Sequence, residues 1–237
     1  MMHLNVEKKK LYILSQPTDE SCGPTCLQAV YNYYGDFVDL QLLIDDVKKV
    51  EGGGTIAVML GNHALSRGYK ADIYTNNLQV FDPTWFVKGV DIISKLKEQA
   101  GYKKSKKLKQ ATQEYLQFLS SGGKIHFKEL KSSLIRNILK KNLPILTGLS
   151  ATYLYQTARE IPETNTYHDT KGQPVGHFVI ICGYDEIEHK VLIADPLTPN
   201  PIHETEQYYH VDIQRLINSI LLGILTYDAN ILIIYPK

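Results

Sequence analysis

The segment Gln16-Pro17-Thr18-Asp19-Glu20-Ser21-Cys22-Gly23-Pro24-Thr25-Cys26-Leu27 constrains this chain more than any other, because it marks the start of a helix on a cysteine. Ser21 is of the type that caps free N–H groups. Gly23 and Pro24 fall in the first turn, where proline gives up no hydrogen bond, and the run Ala29-Val30-Tyr31-Asn32-Tyr33-Tyr34 leads to a left-handed stop at Gly35. Cys22 is thereby expected at the helix N-terminus. There the unpaired N–H groups and the positive end of the helix dipole favour the thiolate, the nucleophilic form of cysteine.

Cys26 lies one turn further on, inside the helix, and is expected in the core, where free cysteine is common. Gln16, six residues before Cys22, is an uncharged donor that a loop can aim beside the thiol. Together with the N–H of Cys22, such a donor would hold the oxyanion of a tetrahedral intermediate.

At 237 residues the chain is long enough for one full core, or for two lobes sharing a cleft. Its net charge of +1 makes no general case for nucleic acid or an anionic membrane as partner. The three cysteines at 22, 26 and 182 do not form a secreted disulfide framework; they fit free thiols in a reducing compartment, so a cytoplasmic location is expected. Residues 1–10 have no apolar core of signal-peptide length, and no run of 18 apolar residues occurs.

Periodicity predicts helices over 40–50, capped by Asp39, from Thr55 to Arg67, stopped by Gly68, from about Val90 to Ala100, and over 111–119 and 127–140. Only a short strand from Tyr69 to Tyr74 and an aromatic turn over 81–86 interrupt them. The triple glycine at 52–54 reads as a link between helices, since it lacks the lysine and the Ser/Thr that a phosphate loop needs. His63, alone in an amphipathic helix, reads as structural. Lys103, Lys104, Lys106, Lys107 and Lys109 form a basic tract that is either a solvated face or a docking patch for an acidic partner.

At Pro144 the character changes. Strands are expected at 145–149, 175–182, 190–194 and 231–235, with a helix over 211–222. The fold class is therefore α+β within a single domain, 1–237: a mainly helical lobe over 11–143, with a lysine-rich helical insertion at about 82–143, and an antiparallel β-sheet lobe over 144–237, with a cleft between them. The polar, turn-rich segment 153–173 separates two buried strands and is expected to lie over a functional edge as a flap.

The strands near 177–184 and 190–196 are joined by about five polar residues, so they should pair antiparallel. That register puts His177 opposite about Leu197, with Asp195 a diagonal neighbour on the same face. A thiol nucleophile needs such a pair, a histidine to take its proton and a carboxylate to hold the histidine's other nitrogen. Cys182, in the same strand, is expected in the core, and His126, His189, His203 and His210 have no supporting neighbours.

These residues, Gln16, Ser21-Cys22-Gly23, Cys26-Leu27, Tyr33-Tyr34-Gly35, Gly176-His177-Phe178-Val179 and Ala194-Asp195-Pro196, carry a resemblance. The chain resembles the papain-like cysteine peptidases of the bacteriocin-processing, double-glycine-leader type, and looks more similar to stand-alone cytoplasmic bacterial relatives than to members fused to an ABC exporter. The resemblance implies Cys22 as nucleophile, Gln16 as oxyanion donor, His177 as general base and then acid, and Asp195 as the residue orienting His177. It also implies a papain-like fold and a peptide or protein substrate.

The implied reaction is hydrolysis of a peptide or amide bond through a thioester, with no metal or organic cofactor. Three alternatives stay open: acyl transfer by the same residues, a peptide-binding module without activity, and a metal site on Cys22, Cys26 and His177, for which no fourth ligand is evident.

Overall fold

A computed structural model of the chain describes residues 11–50, 53–226 and 228–237. Residues 1–10, read above as lacking a signal-peptide core, and Gly52 of the triple glycine lie outside the described residues. In chain order come helices α1 (Cys22–Tyr33), α2 (Leu40–Asp46) and α3 (Ala57–Ser66), strand β1 (Lys70–Thr75), a 3-10 turn (Pro83–Phe86), helices α4 (Ile92–Tyr102) and α5 (Lys106–Ser120), and strand β2 (Lys124–Phe127). Then follow α6 (Ser132–Leu139), β3 (Ile145–Ser150), α7 (Ala151–Tyr155), the short strands β4 (Glu160–Ile161) and β5 (Thr166–Tyr167), and β6 (Gly176–Asp185). The chain closes with β7 (Lys190–Ala194), β8 (Tyr208–Asp212), α8 (Ile213–Leu222), a second 3-10 turn (Gly223–Thr226) and β9 (Asn230–Tyr235).

One seven-stranded sheet runs in the order β2-β1-β9-β3-β6-β7-β8. Only β1 and β2 pair parallel; every other neighbouring pair is antiparallel. The fold is therefore α+β with a mostly antiparallel sheet, as expected. Strands are buried on both faces because alternate side chains enter two cores. Phe178, Ile180, Leu146 and Leu232 pack under α1, α3 and α5, while Val179, Ile181, Leu149 and Ile233 pack under α6, α7 and α8.

Within 11–143, expected as mainly helical, the chain also supplies β1 and β2 to the sheet. The helix expected over 127–140 is a correction. Gly122, at φ +90, ends α5, and the chain then enters β2, which lies along β1 with Asp72 opposite Lys124; α6 begins only at Ser132. A second correction concerns 211–222. Its first residues complete β8, and the helix starts at Ile213, where Asp212 accepts hydrogen bonds from the N–H groups of Gln214 and Arg215. The lysine-rich insertion is part of the core, since α5 buries Tyr115 and Phe118 completely. Among the described residues, no helix is long and apolar enough to cross a membrane.

Candidate active site

Cys22 is the first residue of α1, as expected, but Ser21 does not cap the helix. Its hydroxyl donates to the carbonyl of Thr18 at 2.7 Å and accepts from the N–H of Thr18 at 2.9 Å, closing the loop before the helix. The first turn also carries no acidic residue. With neither a side-chain cap nor a carboxylate engaging them, the N–H groups at this end keep their attraction for negative charge at Cys22.

Gly23 lets α1 approach closely: a Cβ there would lie 2.4 Å from Cγ2 of Thr55. The helix is docked on β6, where the Cys26 thiol donates to the carbonyl of Phe178 at 3.4 Å. Cys26 is fully buried, and burial, with the nearby Cys22 and Asp195, raises its pKa well above the usual thiol range. This sulfur is a core group, turned into the packing between helix and sheet.

In the β6–β7 hairpin, Ile180 faces Ala194 and Ile181 faces Ile193. Continuing that register places His177 opposite Leu197, with Asp195 diagonal to it. His177 Nε2 and Asp195 Oδ1 are 2.8 Å apart. Both are buried, His177 at 7% exposure and Asp195 at 0%.

Burial alone would raise the pKa of Asp195, but the charge and hydrogen bond of His177, with two phenols, hold it below the ordinary carboxylate range. Burial likewise opposes a charge on His177. Asp195 overrides it, with a smaller contribution from a hydrogen bond to Cys22, and the imidazole is pushed up to about 10. Since Nε2 is held by Asp195, Nδ1 is the nitrogen left for the thiol.

The other Asp195 oxygen accepts from Tyr155 Oη at 2.7 Å and Tyr209 Oη at 2.5 Å, and the N–H of Leu197 donates to Oδ1 at 2.9 Å. The two tyrosines escaped the sequence reading. The available signal was chemical: a carboxylate at a buried strand end needs donors, and tyrosines occur in the two segments that bracket the hairpin.

Gln16 reaches the same place through its backbone, whose N–H donates to the carbonyl of Pro196 at 2.8 Å. Its Nε2 donates to the carbonyl of Thr18 at 3.1 Å, which commits one amide hydrogen, and its Oε1 is buried without a partner among the described residues. The segment 153–173 crosses to the loop that precedes Cys22. At its tip, Asn165 Nδ2 donates to Asp19 Oδ2 at 2.8 Å.

Cys182 is a correction. It is the extra residue of a bulge between Ile181 and Gly183, so that it packs only half-buried against the edge of the core and also lines a cavity. Its thiol is pushed by burial up to about 12. His63 is structural, its Nδ1 lying 2.8 Å from the hydroxyl of Tyr31. No group of three His, Cys, Asp or Glu side chains among the described residues is placed to hold a metal ion.

A thiol at a helix start beside a buried histidine–carboxylate pair is the arrangement that thiol-dependent acyl chemistry uses. The chain belongs to the Peptidase_C39 like family, whose model matches residues 8–219. No curated protein matches it. Among solved structures it is similar to a protein described as a C39-like peptidase from Bacillus anthracis, at 17% identity over 97% of this chain and 96% of that one, with a TM-score of 0.44. It is also similar to the peptidase domain of Streptococcus ComA, a bi-functional ABC transporter involved in a quorum-sensing pathway. There the identity is 12% over 96% of this chain and all of that one, with a TM-score of 0.47.

Proposed function

We propose that this chain is a cysteine peptidase that cleaves a peptide or amide bond with Cys22, His177, Asp195 and Gln16. The observation that carries the reading is the 2.8 Å contact of His177 Nε2 with a fully buried Asp195, on a strand against which the Cys22 helix is docked. Family membership supports the same chemistry.

Cys22 gives its thiol proton to His177 as it attacks, and Asp195 favours the imidazolium that results. The thiolate attacks the substrate carbonyl carbon, and the carbonyl oxygen takes the negative charge. The N–H of Cys22 and the uncommitted amide hydrogen of Gln16 are the donors for that oxyanion. His177 gives its proton to the leaving amine as the C–N bond breaks, which leaves a thioester on Cys22. Water then adds, its proton passing to His177, and the acid is released with the thiol restored.

The test is mass-spectrometric mapping of a limiting thiol-directed electrophile at pH 6, on the wild type and on His177→Ala. Selective labelling of Cys22 that collapses in the variant is expected. Equal, slow labelling of all three cysteines, unchanged by the variant, would leave a binding module in place of an enzyme. Analysis of the products from a reactive peptide ester, with and without an added amine, then separates hydrolysis from acyl transfer.

A further inference from the structure

The segment between Tyr155 and Val175 is fixed at both feet by groups next to the candidate site. Tyr155 donates to Asp195 Oδ2 at 2.7 Å. Val175, two residues before His177, accepts the N–H of Ala151 at 2.9 Å, and its own N–H donates to Thr152 Oγ1 at 3.1 Å. A movement between these feet leaves the histidine–carboxylate pair in place.

Between the feet the chain is well tied to itself. In the β4–β5 hairpin Glu160 lies opposite Tyr167, and Glu160 also exchanges backbone hydrogen bonds with Gln173, at 3.1 and 2.7 Å. The N–H of His168 donates to the carbonyl of Arg159 at 2.7 Å, and Gly172 packs so closely that a Cβ there would lie 2.5 Å from the carbonyl carbon of Arg159. To the rest of the protein the hairpin is held weakly. From Gln156 to Pro174 only Gly172 is buried, so none of its side chains is anchored in either core. Among the described residues, one hydrogen bond joins 158–173 to the chain outside it, from Asn165 Nδ2 to Asp19 Oδ2 at 2.8 Å, and both partners are exposed. A unit that is rigid in itself, lacks buried apolar contacts and hangs on one exposed bond is where a structure opens first.

The feet stand on the His177 side, and the tip reaches the Cys22 side, since Asp19 is three residues before Cys22. The hairpin therefore spans the two. Glu160 agrees with that path: burial and then the charge of Asp19 push its carboxyl above the ordinary range, and His177 draws it back. With the hairpin in place Cys22 is 9% exposed and His177 7%, although a substrate has to reach both.

We propose that this hairpin is a strap across the catalytic site, clasped by Asn165 and Asp19, and that these two residues set which substrates enter. A slender, unstructured peptide is admitted, whereas a bulky one waits for the clasp to break. The proposal rests on the reading of Cys22 and His177 as the catalytic pair.

N-ethylmaleimide and N-(1-pyrenyl)maleimide carry the same thiol-reactive group on bodies of different bulk. Their rates at Cys22 in the full chain, mapped by mass spectrometry and each divided by the rate with free glutathione, measure access by size. In the wild type N-ethylmaleimide should react well ahead of the pyrenyl reagent. Asn165→Asp removes the donor and sets two carboxylates face to face, so it should speed the pyrenyl reagent roughly three- to tenfold and leave N-ethylmaleimide unchanged. Adding Asp19→Asn restores the pair with donor and acceptor exchanged, and should return the pyrenyl rate to that of the wild type. The proposal is overturned by a pyrenyl rate indifferent to Asn165→Asp, by both rates rising together, or by a double variant that stays fast. The ratio of the two reagents reads access whatever the reactivity of the thiol. A failure of the enzyme reading, seen as N-ethylmaleimide labelling unchanged in His177→Ala, is therefore told apart from a failure of the strap.

Discussion

Asp195 concentrates the electrostatics of the site, because a fully buried carboxylate stays charged only when donors replace the water it has lost. Four donors do so, and two of them are phenols from other elements, Tyr155 and Tyr209. Removing either hydroxyl, as Tyr155→Phe or Tyr209→Phe, should cost about 1–3 kcal/mol in urea unfolding at pH 7. It should also raise the pKa of Asp195, so that Cys22 labelling fails at a higher pH on the acid side than in the wild type. A variant with unchanged stability and an unchanged acid limb would mean that the phenols do not serve the carboxylate. The histidine yields a prediction of definite sign. Its folded pKa, about 10, lies above its ordinary 6.5. Its contribution to stability is therefore full below 6.5 and lost as pH rises toward 10. Unfolding free energies at pH 6.5, 8 and 9.5 should fall more steeply for the wild type than for His177→Gln; parallel profiles would exclude a charged His177. The place of Cys22 at the start of α1 and the contact of His177 with Asp195 were legible in sequence, because a helix start and a hairpin register dictate position locally. Tyr155 and Tyr209 had no such pattern, being 40 and 14 residues from the carboxylate they serve.

At the scale of elements, α1 is the part on which the thiol depends. Gly23 is its point of closest approach to the α2–α3 connection. Alanine is the better helix former by about 1 kcal/mol, but a Cβ at 2.4 Å from Thr55 forces a shift that costs about 1–3 kcal/mol. Gly23→Ala should therefore lower the melting temperature and slow Cys22 labelling. Thr55→Ser, which deletes the offending methyl and keeps the hydroxyl that donates to the carbonyl of Lys48, should restore both. If the double variant remains as impaired as Gly23→Ala, the contact with Thr55 is not the cause. The long helices and the strands β3, β6, β7 and β9 were readable, because periodicity over many residues or a run of β-branched side chains declares them. The edge strands were not. β2 has only four residues, and its pairing with β1 is fixed by a partner about 50 positions away; β8 was hidden because its last residues run into a helix with the same apolar character.

At the scale of the molecule, the sheet is the middle layer of three, a consequence of two strands contributed by the half that reads as helical. Asp228 shows what joining the layers costs. It is buried where α3, β3 and β9 meet, accepting from the N–H of Ala57 at 3.3 Å and from Asn230 Nδ2 at 2.8 Å, and it leaves no room for a Cβ on Gly148, which would lie 2.3 Å from its Oδ2. Burial pushes its pKa up from 3.8 to about 6, against the opposing effect of those hydrogen bonds. For an acid whose folded pKa is raised, the folded state holds its proton more tightly than the unfolded chain. The associated stability is complete below 3.8 and lost as pH rises through 6. A shift of that size corresponds to about 3 kcal/mol. Asp228→Asn keeps the shape and an acceptor for Ala57 while removing the charge. The variant's stability relative to the wild type should therefore increase by about 3 kcal/mol between pH 4 and pH 7.5. Taking the difference cancels the carboxylates common to both chains, including Asp36, Asp72 and Asp195, whose lowered pKa values act in the opposite direction. Denaturant melts of the two proteins at four pH values across that range decide it: a difference that stays constant with pH would mean that Asp228 titrates as an ordinary carboxylate, and that the junction of the three elements costs the fold nothing in charge.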